Sequence, residues 1–225
     1  MNADTDSNAS TALQDGVLTI QTGKALTSGN NAVLITAYDV DLDGSISSGT
    51  AAVTIHGAVA SQTIGLGATP FNLMVDANEL QRITNSAGLT LGSSASGSIT
   101  VTGALDANSK TVTGTVTLIA TKASKRVTFT GTSSTFHELV VQADGGINAQ
   151  VSVFTPTGSL YMDADVGNAG SANIAVADEK TVSSATVLTL EATAGSIVAS
   201  GAATLSAGNG IMIQDTFTGS GSTSK

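Results

Sequence analysis

A short phrase returns along this chain: a few aliphatic residues, one polar residue, then often an alanine. It reads Leu139-Val-Val-Gln-Ala143, Leu160-Tyr-Met-Asp-Ala164 and Leu188-Thr-Leu-Glu-Ala192, with looser copies at Leu34-Ile-Thr-Ala37, Leu118-Ile-Ala-Thr121 and Ile211-Met-Ile-Gln214. From Leu118 to Leu139 is 21 residues, from Leu139 to Leu160 again 21, and from Leu188 to Ile211 it is 23. Self-similarity at a period of roughly 20 to 50 residues marks a repeat architecture in which stacked units share one continuous core. Each unit here is too short to bury its own apolar side, so its neighbours must supply the partner surface.

The strand signal is strong. Alternation of apolar and polar residues appears in Val17–Ile20, Ala52–His56, Ser98–Thr102, Thr111–Thr117 and Arg126–Thr130, which places one set of side chains inward and the other outward. Turn clusters separate these runs: Ser28-Gly-Asn-Asn31, Asp43-Gly44, Ser96-Gly97, Asp144-Gly-Gly146 and Gly208-Asn-Gly210. Aromatic residues make up only 3% and Trp is absent, so Val, Ile, Leu and Ala must fill the interior. That suits a core one side chain deep. A mean hydropathy of +0.25 separates the chain from disordered sequences of low charge. Ile119 is expected on the inward face.

One stretch departs from the strand rhythm. Leu73, Leu80 and Ile83 lie near helical spacing, and Asp76 with Glu79 forms a capping box. The spacing predicts one short helix near residues 77–83, at a corner of the stack.

Charge and residue usage exclude several functions. Eight Lys and Arg against 17 Asp and Glu give a net charge of −9, too few cations to replace the counterions of a nucleic acid. Lys122, Lys125 and Arg126 cluster, which reads as a solvated corner between strands. Cysteine is absent, which removes disulfides, thiolate ligands and Cys nucleophiles together. No run approaches the ~20 apolar residues of a membrane span, and no signal peptide is read at the start. The polar stretches at both ends read as flexible tails over 1–11 and 216–225, with the folded region over 12–215, as in a piece of something longer.

The order of several segments carries a resemblance. Asp39-Val-Asp-Leu-Asp-Gly-Ser45, Gln62-Thr-Ile-Gly-Leu-Gly67, Asp76-Ala-Asn-Glu-Leu-Gln-Arg-Ile-Thr84, Gly88-Leu-Thr-Leu-Gly92 and Gly97-Ser-Ile-Thr-Val101 follow one another. Together they resemble the repeat of very large secreted proteins of the filamentous-haemagglutinin type, in which an "ELxRIT…GxLTIG…GxITV" string recurs. The likeness covers roughly residues 33–105, a little under half the chain. It implies an all-β chain, a single right-handed parallel β-helix, located outside the cell or at its surface. It implies a stalk, spacer or fibre building block of an adhesin-like protein and brings no catalytic residues. The partners expected are flanking repeats of a longer parent chain and copies associating end to end.

Candidate sites stand beside that structural reading. Asp39, Asp41 and Asp43 with Gly44 open like a calcium loop, but Thr50 occupies the twelfth position where the bidentate Glu belongs. The three carboxylates on one outward side of a strand are the candidate metal site, with calcium the candidate ion and no other cofactor expected. Asp4, Asp6 and Asn8 repeat the pattern more weakly. Asp163 and Asp165 are candidates for the paired carboxylates of a polysaccharide-degrading β-helix, although no Lys or Arg lies near them in sequence. His56 and His137 lack metal-ligand spacing, Arg82 reads as an exposed helix charge, and no nucleophile elbow occurs. Thr111, Thr113, Thr115 and Thr117 with Thr128, Thr130 and Thr132 are the candidates for an ice-binding grid. Asn8-Ala-Ser10 is the sole glycosylation sequon. The expected function is structural and non-enzymatic, with a calcium- or glycan-binding adhesion module as the alternative.

Overall fold

A computed structural model describes residues 1, 3, 16–68, 71–167 and 171–220 of the chain. Strands dominate, and every pair of named strands is parallel. Parallel neighbours cannot be joined by a tight hairpin, so the chain must travel before it pairs again. It does so by visiting other sheets in turn.

The first face is an eight-stranded sheet that runs Val33–Ala37, Val53–Gly57, Leu89–Gly92, Thr115–Ala120, Glu138–Ala143, Leu160–Asp163, Val187–Glu191 and Gly210–Gln214. The second face begins with Leu73–Val75 and Ile64–Gly67 and continues through Ile99–Thr102, Val127–Thr130, Ile147–Ala149, Ile174–Val176, Ile197–Ser200 and Phe217–Ser220. A third side carries Ser134–Thr135, Val153–Thr155, Thr181–Ser184 and Thr204–Ala207, preceded by a smaller sheet of Ala25–Thr27, Ser45–Gly49 and Ile83–Asn85. Val17–Ile20 pairs with Asp39–Leu42 as a separate two-stranded piece.

The register explains the recurring phrase. Leu139, Leu160, Leu188 and Ile211 are opposite one another on successive strands. One row of the first face stacks Val53, Leu89, Val116, Leu139, Leu160 and Leu188, and the next stacks Ile55, Leu91, Leu118, Val141, Met162 and Leu190, all buried. The phrase's alanines, Ala143, Ala164 and Ala192, are fully buried at the end of each strand, where the chain turns to its next face. On the second face Ile64, Ile99, Val127, Ile147, Ile174 and Ile197 repeat the arrangement. Burying a branched aliphatic side chain contributes about 1.5–3 kcal/mol, so each unit added brings its own driving force.

Two copies of the phrase are misaligned by the sequence alone. Val116, not Leu118, pairs with Leu139, so the spacing there is 23 residues and the phrase reads Val116-Thr-Leu-Ile-Ala120. Ile119 is therefore on the outer surface and half-buried, and the expectation of an inward Ile119 is corrected: Val116, Leu118 and Ala120 point in. Period-two alternation decides this, because a one-residue error exchanges the faces. Likewise Val33 aligns with Val53, and Leu34 is 53% exposed.

Asp76 caps the expected helix with the full capping box: its carboxylate accepts from the Glu79 amide, and Glu79 accepts from the Asp76 amide. The helix itself is a single turn, Ala77–Leu80, and stops short of residue 83. Ile83 is needed elsewhere, buried in a strand opposite Ile46. A second turn of helix, Asp106–Ser109, lies beside the first and was not expected; it has no side-chain cap and no apolar spacing to announce it. Regular pairing also passes residue 215, since Phe217–Ser220 pairs with Ile197–Ser200 where a tail was expected. Of the expected N-terminal tail, the backbones of Met1 and Ala3 bond to the Val33–Ala37 strand, and residues 4–15 lie outside the described set. Among the described residues no helix is long and apolar enough to cross a membrane.

Candidate functional site

The acidic row at Asp39–Asp43 occupies an irregular part of the fold. Leu73–Val75 is an additional strand on the second face, paired with Ile64–Gly67 and placed beside Asp39–Leu42. Backbone pairing does not bridge that last step; side chains do. Asp39 Oδ1 accepts from the amides of Val40 at 2.9 Å and Met74 at 2.8 Å. Glu79 Oε1 accepts from the Leu42 amide at 2.9 Å while its Oε2 serves Asp76 at 2.7 Å. Two carboxylates thus stand where strand carbonyls would be. Burial holds both the Asp39 and Glu79 carboxyls above the usual range, opposed by those amide bonds.

The other members of the row go elsewhere. Val40 and Leu42 point inward as expected, and Asp41 is exposed. Asp43 pairs with Arg82 at 3.5 Å, and Arg82 also donates to the Leu42 carbonyl. The candidate calcium residues therefore serve as a strand bridge, a solvated charge and an ion-pair partner. Among the described residues no group of three or more His, Cys, Asp or Glu side chains is placed to hold a metal ion. Glu79 is the residue that sequence reasoning undervalued. Its capping role was legible, but its reach to Leu42 depends on tertiary placement.

Asp163 and Asp165 are not side by side. Asp163 faces outward, directly opposite Glu191 on the next strand. Asp165 is 1% exposed, and its Oδ2 accepts from the Ala194 amide; among the described residues its Oδ1 has no hydrogen-bond partner. Asp163 Oδ1 accepts from the Asp165 amide at 3.2 Å, so this pair ties down a corner. Tyr161 donates to Glu191 Oε2 at 2.7 Å. Desolvation raises the Asp163 carboxyl, and the facing Glu191 charge adds to it. Desolvation also raises the Tyr161 phenol, which the hydrogen bond to Glu191 reinforces. This arrangement links neighbouring strands through one shared phenolic proton.

A similar strut lies one strand away. Glu138 Oε2 accepts from Thr115 Oγ1 at 2.8 Å, and Oε1 accepts from the Ser159 hydroxyl, so one carboxylate spans three successive strand levels. The Ser159 bond leads in holding the Glu138 carboxyl below its ordinary value, and Thr115 assists. Residues 115, 138 and 159 belong together only through the register, which is why sequence reasoning missed them.

The remaining candidates are dispersed. His56 Nε2 is 3.1 Å from Thr36 Oγ1 and Nδ1 is 3.0 Å from the Gly57 carbonyl. Lys122 donates to Ser61 Oγ at 2.6 Å, and Arg126 lines a shallow dent with Ser124, Asp144 and Gly145. The Thr grid is divided: Thr115 and Thr117 are on the first face, whereas Thr128 and Thr130 are on the second. The second face repeats T-x-T at Thr100 and Thr102, but Gly65 and Asn148 follow on either side. Asp4, Asp6 and the Asn8-Ala-Ser10 sequon lie outside the described residues. In comparisons with known proteins the chain matches no family model, no curated sequence and no solved structure.

Proposed function

We propose that the chain is a single right-handed parallel β-helix and that its task is mechanical: a stalk, spacer or fibre segment within a large extracellular or cell-surface protein. The observation that carries this reading is the uninterrupted parallel ladder of the first face, from Val33 to Gln214 through eight strands in register. A right-handed course follows from the strand twist that governs parallel crossovers. Glu138 and Tyr161 bond to neighbouring strands, and Asp163 bonds to the Asp165 amide at its own corner, rather than converging on a cleft. No catalytic role is assigned to them. The filamentous-haemagglutinin resemblance supports the surface location.

At ~4.8 Å per strand level, eight levels give a rod of about 40 Å. Nuclear Overhauser contacts between strands test the reading. Backbone contacts that pair Leu139 with Leu160 and Leu160 with Leu188 in parallel register are expected; antiparallel contacts between strands adjacent in the chain would refute it.

A further inference from the structure

We propose that the joint between Asp39–Leu42 and the inserted Leu73–Val75 segment is a pH-sensitive latch, closed in acid and loosened as pH rises, with Glu79 as the group that senses the change. The other steps of the second face are closed by backbone amides and carbonyls, which do not titrate. At this one step a carboxylate takes the place of a carbonyl. Glu79 Oε1 accepts from the Leu42 amide at 2.9 Å across the joint, and its Oε2 accepts from the Asp76 amide at 2.7 Å within the helical turn. The joint is closed to solvent: Glu79 is 7% exposed, and Leu42, Leu73, Val75 and Leu80 are buried.

The charges that face Glu79 most closely carry its own sign. Asp76 shares the capping box with it, and Asp39 stands on the strand across the joint, bonded to the Met74 amide. Asp41 is exposed on that same strand. Arg82, three residues further along, donates to the Leu42 carbonyl and pairs with Asp43. The helical turn beside the first brings Asp106 and then Lys110, both exposed, and Ile64–Gly67 brings no charge. Among the described residues no ion pair reaches Glu79. Ionised, it is enclosed beside like charges and steadied by two amides; protonated, it keeps a carbonyl oxygen for an amide and sheds the repulsion. Burial leads in holding its carboxyl above the ordinary 4.5, and the charges of Asp76 and Asp39 add to that. The stabilisation is therefore fully present below 4.5 and is lost as pH rises through the folded value. Val33–Ala37 before the joint and Ser45–Gly49 after it stay in their ladders, so the loosening is local.

Native-state hydrogen exchange of the whole chain, followed from about pH 4 to about pH 8 and corrected for the intrinsic rate, tests this. The Leu42 amide is expected to lose protection over that range, while the ladder amides of Val116 and Val141 keep theirs. Glu79→Gln retains an oxygen for Leu42 and cannot ionise, so its Leu42 protection is expected to stay constant at the value the wild type shows in acid. NMR titration of the Glu79 carboxyl in the wild type needs no variant and is expected to give a midpoint above 4.5. Leu42 protection that is constant or rises with pH overturns the proposal, as does an equal loss at Val116 and Val141. A Glu79→Gln chain that still loses protection, or a carboxyl midpoint at or below 4.5, overturns it too. Circular dichroism establishes that the variant folds; if it does not, the wild-type exchange and titration decide the matter.

Discussion

Leu118 and Ile119 are chain neighbours of similar size, and the fold gives them opposite fates. Leu118 is fully buried, between Leu91 on one neighbouring strand and Val141 on the other. Ile119 is opposite Gln142 on the outer surface. Truncating Leu118 to Ala leaves a void whose walls are held apart by backbone ladders on both sides, so little collapse is available. A buried Leu→Ala change costs about 2–5 kcal/mol, and the rigid surroundings place this one near 3 kcal/mol or above. For a chain of this length that lowers the melting temperature by about 6–12 °C. Ile119→Ala removes a half-exposed group and costs less than about 1 kcal/mol. Equilibrium urea unfolding of both variants reads the difference directly as a shift in midpoint at constant slope. Hydrogen exchange at the amides of Val116 and Val141 adds a local readout, since stability in stacked repeats spreads through nearest neighbours. Equal shifts, or a larger shift for Ile119, would refute the assignment of faces and with it the register of the whole first sheet.

Gly92 has φ +93°, and an added Cβ would meet the Ile119 carbonyl oxygen at 2.2 Å; Gly92→Ala is expected to destabilise by more than about 2 kcal/mol, read as a lowered urea midpoint. Glu138→Ala severs the links to Thr115 and Ser159 and costs about 1 kcal/mol at neutral pH. Because the folded Glu138 carboxyl titrates below its ordinary 4.5, its stabilisation is present above that pH and is lost as pH falls through the folded value. The difference between wild type and Glu138→Ala should therefore shrink in acid, and a constant difference would contradict the strut. Asp39 works in the opposite sense. Its folded carboxyl is raised, so its contribution is fully present below the ordinary 3.8 and is lost as pH rises through the folded value. Asp39→Asn keeps an oxygen for the Val40 and Met74 amides, and its stability is expected to vary less with pH above 3.8 than that of the wild type.

The sequence made the all-β class and the parallel repetition legible through Leu139, Leu160 and Leu188, because like residues stack on like residues. It misled at Leu118 and Leu34 for a physical reason: aliphatic residues on both faces of a strand let the phrase be aligned one face or one pair too far. The capping box at Asp76 and Glu79 is local chemistry and was readable. The length of that helix was not, because the pairing of Ile83 with Ile46 lies 37 residues away and ends it early. Among the candidate sites, the outward placement of Asp39 followed from alternation alone. Its bonds to Met74 and the link from Glu79 to Leu42 depend on an inserted strand that no periodicity announces. The Thr115, Glu138 and Ser159 strut needs the register before its members can be recognised as neighbours.

That inserted strand, Leu73–Val75, also has a mechanical consequence. It adds one strand width to the second face, while the first face and the third side step directly from Val33–Ala37 to Val53–Gly57 and from Ser45–Gly49 to Ile83–Asn85. A stack longer on one side by ~4.8 Å curves away from that side unless the extra strand is absorbed locally, and the side-chain bonds of Asp39 and Glu79 are what hold that step together.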